Sequence, residues 1–230
     1  MLYIIGNWKS HQTITQTKEW FLSYSSQAKK YTNAKIVICG PFTCLPEINK
    51  QISQLHLHLE SGAQDVSQFQ EGKHTGEINA QMLSELTRYC LVGHSERRLE
   101  GQETSVQVSS KCRHLLDHQI TPIVCVDIPD LENQVSSLHH QQIPLDSILI
   151  AFEPSSAIGS GKVEDKSQIL NAISRITFLV GDQTPILYGG SVDSSNINDL
   201  VNYPKLSGVL VGGASLDPVE FAKITNQVNR

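Results

Sequence analysis

Short, densely apolar runs recur along the whole chain, and this recurrence limits the fold more than any other feature of the sequence. They fall at 3–6, 35–40, 57–63, 89–93, 122–126, 147–152, 185–189 and 208–212. Each spans 4–7 residues, the length of a strand rather than of a core helix. Most are apolar at consecutive positions, as strands buried on both faces are. The run at 57–63 is the weakest, because Glu60 and Ser61 interrupt it.

Segments with helical spacing lie between the runs. Trp20, Phe21 and Tyr24 recur at that period, as do Met82, Leu83 and Leu86, and then Ile169, Leu170, Ile173 and Ile176. Asp193 to Ser195 offers N-cap chemistry before Ile197 and Leu200. Asp217-Pro218 places a capping residue ahead of a proline at the first helical position. Alternating strands and helices predict a parallel α/β fold. Eight pairs in 230 residues leave about 29 per pair, which fits one α/β domain over residues 1–230, a (β/α)8 barrel of eight parallel strands each followed by a helix. The rival, an open doubly wound sheet, would carry a GxGxxG turn after its first strand, and Gly6-Asn7-Trp8-Lys9 is not one.

Composition narrows the function. A formal charge of -5 and a pI of about 6.0 argue against a nucleic-acid binder. The mean hydropathy of -0.19, with no run near the ~20 apolar residues of a membrane span, argues against a membrane partner. The N-terminus lacks the basic and apolar regions of a signal peptide. Five cysteines, odd in number and without a CxxC pair, read as reduced thiols in a cytoplasmic protein rather than as disulfides or zinc ligands. His56 and His58 alternate, but no third metal ligand accompanies them.

In a barrel the reactive groups sit at the C-terminal strand ends. Those ends here carry Asn7 and Lys9, Gln64, His94 with Ser95 and Glu96, Cys125, Glu153, Gly189-Gly190-Ser191 and Gly212-Gly213. The glycine turns after the last two runs let backbone N–H groups approach a phosphate. Lys9 is a candidate counter-ion and would stabilise charge developing on substrate oxygens. Glu153 emerges from an apolar strand, and desolvation there would raise its pKa and suit it to general-base work. His94 precedes a short helix whose N-terminus disfavours the imidazolium and would keep the ring neutral. The glycine-bearing stretch 157–162 follows Glu153 and reads as a candidate lid.

Five segments together resemble the triosephosphate isomerase family. They are Asn7-Trp8-Lys9, the run from Val92 through Gly93-His94-Ser95-Glu96 to Arg98, Phe152-Glu153-Pro154 with Ala157 to Lys162, Tyr188 to Val192, and Val211 to Leu216. The resemblance implies interconversion of dihydroxyacetone phosphate and D-glyceraldehyde 3-phosphate through an enediolate, with no metal and no organic cofactor. It implies Glu153 as the base, His94 as the electrophile and proton shuttle, and Lys9 as the source of positive field. Asn7 would be a hydrogen-bonding neighbour. Ser95 and Glu96 would support the site, and Gly159, Ser191, Gly212 and Gly213 would hold the phosphate. The loop between Gln64 and Glu77 resembles the one by which relatives reach a neighbouring subunit, which implies a homodimer.

Two departures from the family pattern stand out. Ser155-Ser156 occupy positions where relatives carry bulky hinge residues, and Asp127 follows Cys125-Val126 where relatives carry Cys-x-Gly-Glu. Together they suggest altered lid closure with the chemical groups intact. They also keep two other readings open. One is an isomerase of a four-carbon ketose phosphate, and the other is a non-catalytic sugar-phosphate-binding protein, which would be expected to have lost Glu153, His94 or Lys9.

Overall fold

The computed structural model describes residues 1–29, 33–154 and 164–228. Eight parallel strands close into a barrel in chain order. They are β1 (Leu2–Asn7), β2 (Ala34–Gly40), β3 (Glu60–Ala63), β4 (Tyr89–Val92), β5 (Thr121–Val126), β6 (Leu149–Phe152), β7 (Ile186–Tyr188) and β8 (Leu206–Val211). Closure is made by β8 pairing with β1, with Tyr3 opposite Gly208 and Gly6 opposite Val211. The helices are α1 (Ile14–Gln27), α2 (Leu45–Gln54), α3 (Ala80–Ser84), α4 (Ser95–Leu99), α5 (Ser105–Asp117), α6 (Leu131–His140), α7 (Lys166–Val180), α8 (Ile197–Leu200) and α9 (Pro218–Gln227). The α/β barrel expected from the sequence is therefore the fold observed.

The consecutive apolar residues divide between two cores. Ile5, Val37, Cys39, Tyr89, Leu91, Ile123, Cys125, Leu149, Ala151, Leu187 and Leu210 fill the barrel interior. Their chain neighbours, such as Ile4, Ile36, Ile38, Cys90, Val92, Val124 and Ile150, face the helices. Each strand thus keeps its period of two, hidden because both faces are buried. Gly62 makes the interior fit, since a Cβ there would lie 2.5 Å from Cys39 Sγ and 3.0 Å from Val37 Cγ1.

The helix-facing core is anchored at one end by aromatics. Trp20, Phe21 and Tyr24 of α1 are buried as their spacing predicts. Trp8 lies edge-on to Trp20 at 5.1 Å, and Trp20 stacks on Tyr24 at 5.0 Å. Both indole N–H groups donate to the Ser215 carbonyl at 3.1 Å, so this packing also pins the turn after β8. On α7, Ile169, Ile173 and Ile176 are buried.

Three sequence expectations are corrected. The third strand begins at Glu60, not at residue 57; Glu60 and Ser61 belong to it, because Ser61 is buried and its hydroxyl donates to the Leu86 carbonyl at 2.9 Å. The helix around Met82 is only five residues long; Met82 is exposed and Leu86 lies beyond the end. Before α8 the N-cap position is Asn196 rather than Asp193 to Ser195, and Asp193 instead closes a turn by accepting the Ser195 N–H at 2.8 Å. Asp217 caps α9 as expected, accepting the N–H groups of Val219 at 2.9 Å and Glu220 at 3.3 Å.

Candidate active site

The polar groups singled out in the sequence converge at the C-terminal rim. β1 delivers Asn7 and Lys9 on either side of Trp8, which is fully buried. Lys9 adopts a left-handed backbone with φ of 53°. Asn7 holds that conformation by accepting the Lys9 N–H on Oδ1 at 3.0 Å. The Lys9 ammonium pairs with Glu96 Oε1 at 2.5 Å. A Cβ on Gly212 would lie 3.8 Å from Lys9 Cε, so the turn after β8 runs beside the same side chain.

His94 is the N-cap of α4 and only 6% exposed. Its Nδ1 accepts the Glu96 backbone N–H at 3.2 Å. That contact occupies the Nδ1 lone pair, so the neutral ring carries its proton on Nε2. Nε2 lies 3.1 Å from Glu153 Oε1. Glu153 is 4% exposed, and its other oxygen accepts the Ser95 N–H at 3.4 Å. Behind it, in the barrel interior, the Cys125 thiol interacts with the carboxylate; burial and then that charge push the thiol well above its ordinary pKa.

The net shift on His94 is upward, against the expectation that the helix N-terminus keeps the ring neutral. Burial is the largest influence and lowers the pKa, but the hydrogen bond and charge of Glu153, followed by the charge of Glu96, outweigh it. The raised value belongs to a ring in contact with Glu153.

Glycines make the room. A Cβ on Gly189 would lie 2.9 Å from Glu153 Cγ, so the turn after β7 closes directly on the carboxylate arm. Ser191 continues that turn, and its carbonyl accepts the Asn196 side-chain N–H at 3.3 Å. Gly213 opens a 3-10 turn, Gly213–Ser215, and a Cβ there meets nothing within 4 Å among the described residues. The first amides of such a turn have no acceptor inside it and suit an anion. Gly159 and the Ser155-Ser156 hinge lie outside the described residues. Asp127, the other departure from the family pattern, accepts the Ile128 N–H at 2.7 Å and so caps the turn after β5.

Sequence reasoning quoted Arg98 within the Val92 to Arg98 segment but gave it no role, and it missed the close fit of Gly189 against Glu153. A cavity of about 590 Å³ adjoins the site. Its lining runs from Asn7, Lys9, His94 and Glu96 out to Asp65, Glu77, Arg97, Glu103 and Lys111, and does not include Glu153. At its outer end the buried Lys111 pairs with Asp65 and Glu103. Glu103 Oε2 is buried with no hydrogen-bond partner among the described residues.

A closed parallel barrel that gathers a carboxylate, an imidazole and an ammonium at its C-terminal rim has the layout of a barrel enzyme working by acid–base chemistry. The sequence model of one family, triosephosphate isomerase, matches residues 2–228. A triosephosphate isomerase from a Synechococcus species is 38% identical over 242 aligned residues, covering 98% of this chain and 96% of the relative. Another, from Mesomycoplasma hyorhinis, is 37% identical, covering 96% of each chain. A third, from Dehalococcoides mccartyi, is 35% identical, covering 98% of this chain and 96% of the relative. The chain belongs to the triosephosphate isomerase family.

Proposed function

We propose that this chain interconverts dihydroxyacetone phosphate and D-glyceraldehyde 3-phosphate, with Glu153 as base and His94 as electrophile. The observation that carries the reading is the buried contact between Glu153 Oε1 and His94 Nε2 at 3.1 Å, beside Lys9 and the glycine turns. A carboxylate takes the proton from the carbon next to the carbonyl. The C–H electron pair forms the carbon–carbon double bond, and the carbonyl pair moves onto oxygen. His94 donates from Nε2 to that oxygen and recovers a proton from the neighbouring hydroxyl. Glu153 returns its proton to the adjacent carbon. Ketose becomes aldose with no atom gained or lost, so the chemistry balances without a cofactor.

A separation of 3.1 Å leaves no space for a substrate carbon between the two groups, so Glu153 turns away from His94 as substrate enters. That movement removes the chief influence raising the His94 pKa. Burial then leads and lowers the His94 pKa, which favours the neutral ring with its donor proton on Nε2. Lys9 stabilises the enediolate oxygens, with Asn7 fixing its backbone and Glu96 its ammonium. Ser95 holds Glu153 in the resting position through its N–H. Main-chain groups at Ser191, Gly212 and Gly213, with Gly159, receive the phosphate.

The same reading makes the protein a homodimer through the loop between Gln64 and Glu77. Residues 71–77 are exposed, and Phe69 stacks on His74 at 4.1 Å in the same loop. The neighbouring cavity is lined in part by Glu103, one of whose buried oxygens has no donor among the described residues, the kind of surface a second copy's loop would complete. Five buried, unpaired cysteines support a place in the cytoplasm, and among the described residues no helix is long and apolar enough to cross a membrane.

A coupled assay with triose and four-carbon ketose phosphates side by side tests the proposal. One extra carbon is worth about 10–200-fold in kcat/KM, and the triose is expected to be preferred by a ratio in that range. No turnover of the triose, or preference for the longer sugar, would overturn it.

A further inference from the structure

Arg98 is a polar side chain at the rim that the scheme above leaves without a role. It lies on α4 and joins two strand ends. Nε donates to the Gly93 carbonyl at 2.8 Å, and one Nη donates to the Cys125 carbonyl at 3.5 Å. The other Nη donates to Ser105 Oγ at 3.3 Å. The last residues paired between β4 and β5 are Val92 and Val124, so Gly93 and Cys125 lie just past the end of that ladder. There the guanidinium stands where the next backbone hydrogen bonds would be.

The two carbonyls are not arbitrary ones. Gly93 precedes His94, and Cys125 is the residue whose thiol lies against the Glu153 carboxylate. Gly93 is also shaped to the guanidinium. Its φ is 68°, and a Cβ there would lie 2.7 Å from an Arg98 Nη and 3.2 Å from Cζ.

We propose that Arg98 is a positioning residue for the isomerisation, setting the spacing between the His94 imidazole and the floor beneath Glu153 by bridging the Gly93 and Cys125 carbonyls. This rests on the assignment of Glu153 and His94 made above. The phosphate end is built on β7 and β8, away from β4 and β5, so Arg98 acts on turnover and not on substrate affinity. Lysine has one compact donor head and cannot span both carbonyls while also reaching Ser105.

The test compares the parent protein with Arg98→Lys and Arg98→Ala. A 1 Å misplacement of a catalytic group costs about 10²-fold in rate. Arg98→Ala is expected to lose kcat by about that factor with KM within twofold of the parent, and Arg98→Lys to lose about 10-fold. Guanidinium ion at millimolar, non-denaturing concentration is expected to restore part of the Arg98→Ala rate, and ammonium ion is not. Should Arg98→Ala not fold, Arg98→Lys keeps the charge and the stem and is read alone. A kcat within twofold of the parent in a folded variant, or a loss carried by KM, overturns the proposal. An inactive parent protein would instead overturn the assignment on which it rests.

Discussion

Replacing Gly189 with alanine tests how closely the fold fits its base. The added Cβ would stand 2.9 Å from Glu153 Cγ, 3.3 Å from the Phe152 carbonyl oxygen and 3.6 Å from Leu210 Cβ. Carbon atoms rest at about 3.5–4.0 Å, so roughly 0.6–1 Å must be found. The Phe152 carbonyl is fixed, because it accepts the Gly189 N–H at 2.7 Å in the sheet. Leu210 is packed in the barrel interior. The Glu153 side chain is therefore what yields. At about 10²-fold per ångström of misplacement, kcat is expected to fall between about 10- and 100-fold. KM is expected to change less than kcat, because the three atoms nearest the added Cβ belong to Glu153, Phe152 and Leu210 and not to the phosphate-binding Ser191, Gly212 or Gly213. Overpacking costs about 1–3 kcal/mol, which a urea titration reads separately. Steady-state kinetics on D-glyceraldehyde 3-phosphate, coupled to a dehydrogenase, gives kcat and KM together. A folded Gly189→Ala protein with kcat within threefold of the parent would refute the claim that this glycine sets the position of the carboxylate.

Removing the Glu153 charge with Glu153→Gln leaves burial as the leading influence on His94, so the His94 pKa, raised above 6.5 in the parent, is expected to drop; ¹⁵N NMR titration of the imidazole measures it. The linked stability has a definite sign. A raised histidine pKa stabilises the fold fully below the unfolded pKa of 6.5 and loses that contribution as pH rises through the folded value, so the parent's advantage over Glu153→Gln in denaturant midpoint should shrink with rising pH. Gly62→Ala drives a methyl against Cys39 Sγ inside the barrel and is expected to cost about 1–3 kcal/mol by urea unfolding. Asp217→Ala removes the cap of α9 and is expected to cost about 0.5–2 kcal/mol by the same measure. Shortening the loop through residues 71–76 is expected to yield monomers by sedimentation, with a lower kcat; an unchanged dimer would refute its role.

The sequence carried the barrel because both cores are written into each strand. Ile4 and Ile5, or Leu91 and Val92, are adjacent apolar residues that face opposite ways. Glu60 and Ser61 misled because a barrel mouth accepts charge that a buried run does not; Glu60 pairs with Lys35 at 2.9 Å at the start of β3. Met82 and Leu86 had helical spacing, yet the helix stops at Ser84; Leu83 is buried in the core, Leu86 packs against it from beyond the helix end, and Met82 faces solvent. At the site, Lys9, His94 and Glu153 were legible as polar residues at apolar strand ends. The net charge preference of His94 was not, because it depends on Glu153, 59 residues away in sequence and 3.1 Å away in space. Arg98 was hidden for a similar reason. Two of its three acceptors are carbonyls, which leave no mark on the sequence, and the left-handed backbone of Gly93 that fits against it shows only in the structure.

Hydrogen exchange at carbon tests the central claim most directly. Dihydroxyacetone phosphate incubated with the protein in deuterium oxide is expected to gain deuterium at the carbon next to its carbonyl, followed by proton NMR. In Glu153→Gln that exchange should all but vanish while a phosphate analogue still binds by calorimetry. Exchange at the parent rate in a folded Glu153→Gln protein would contradict the assignment of Glu153 as the base.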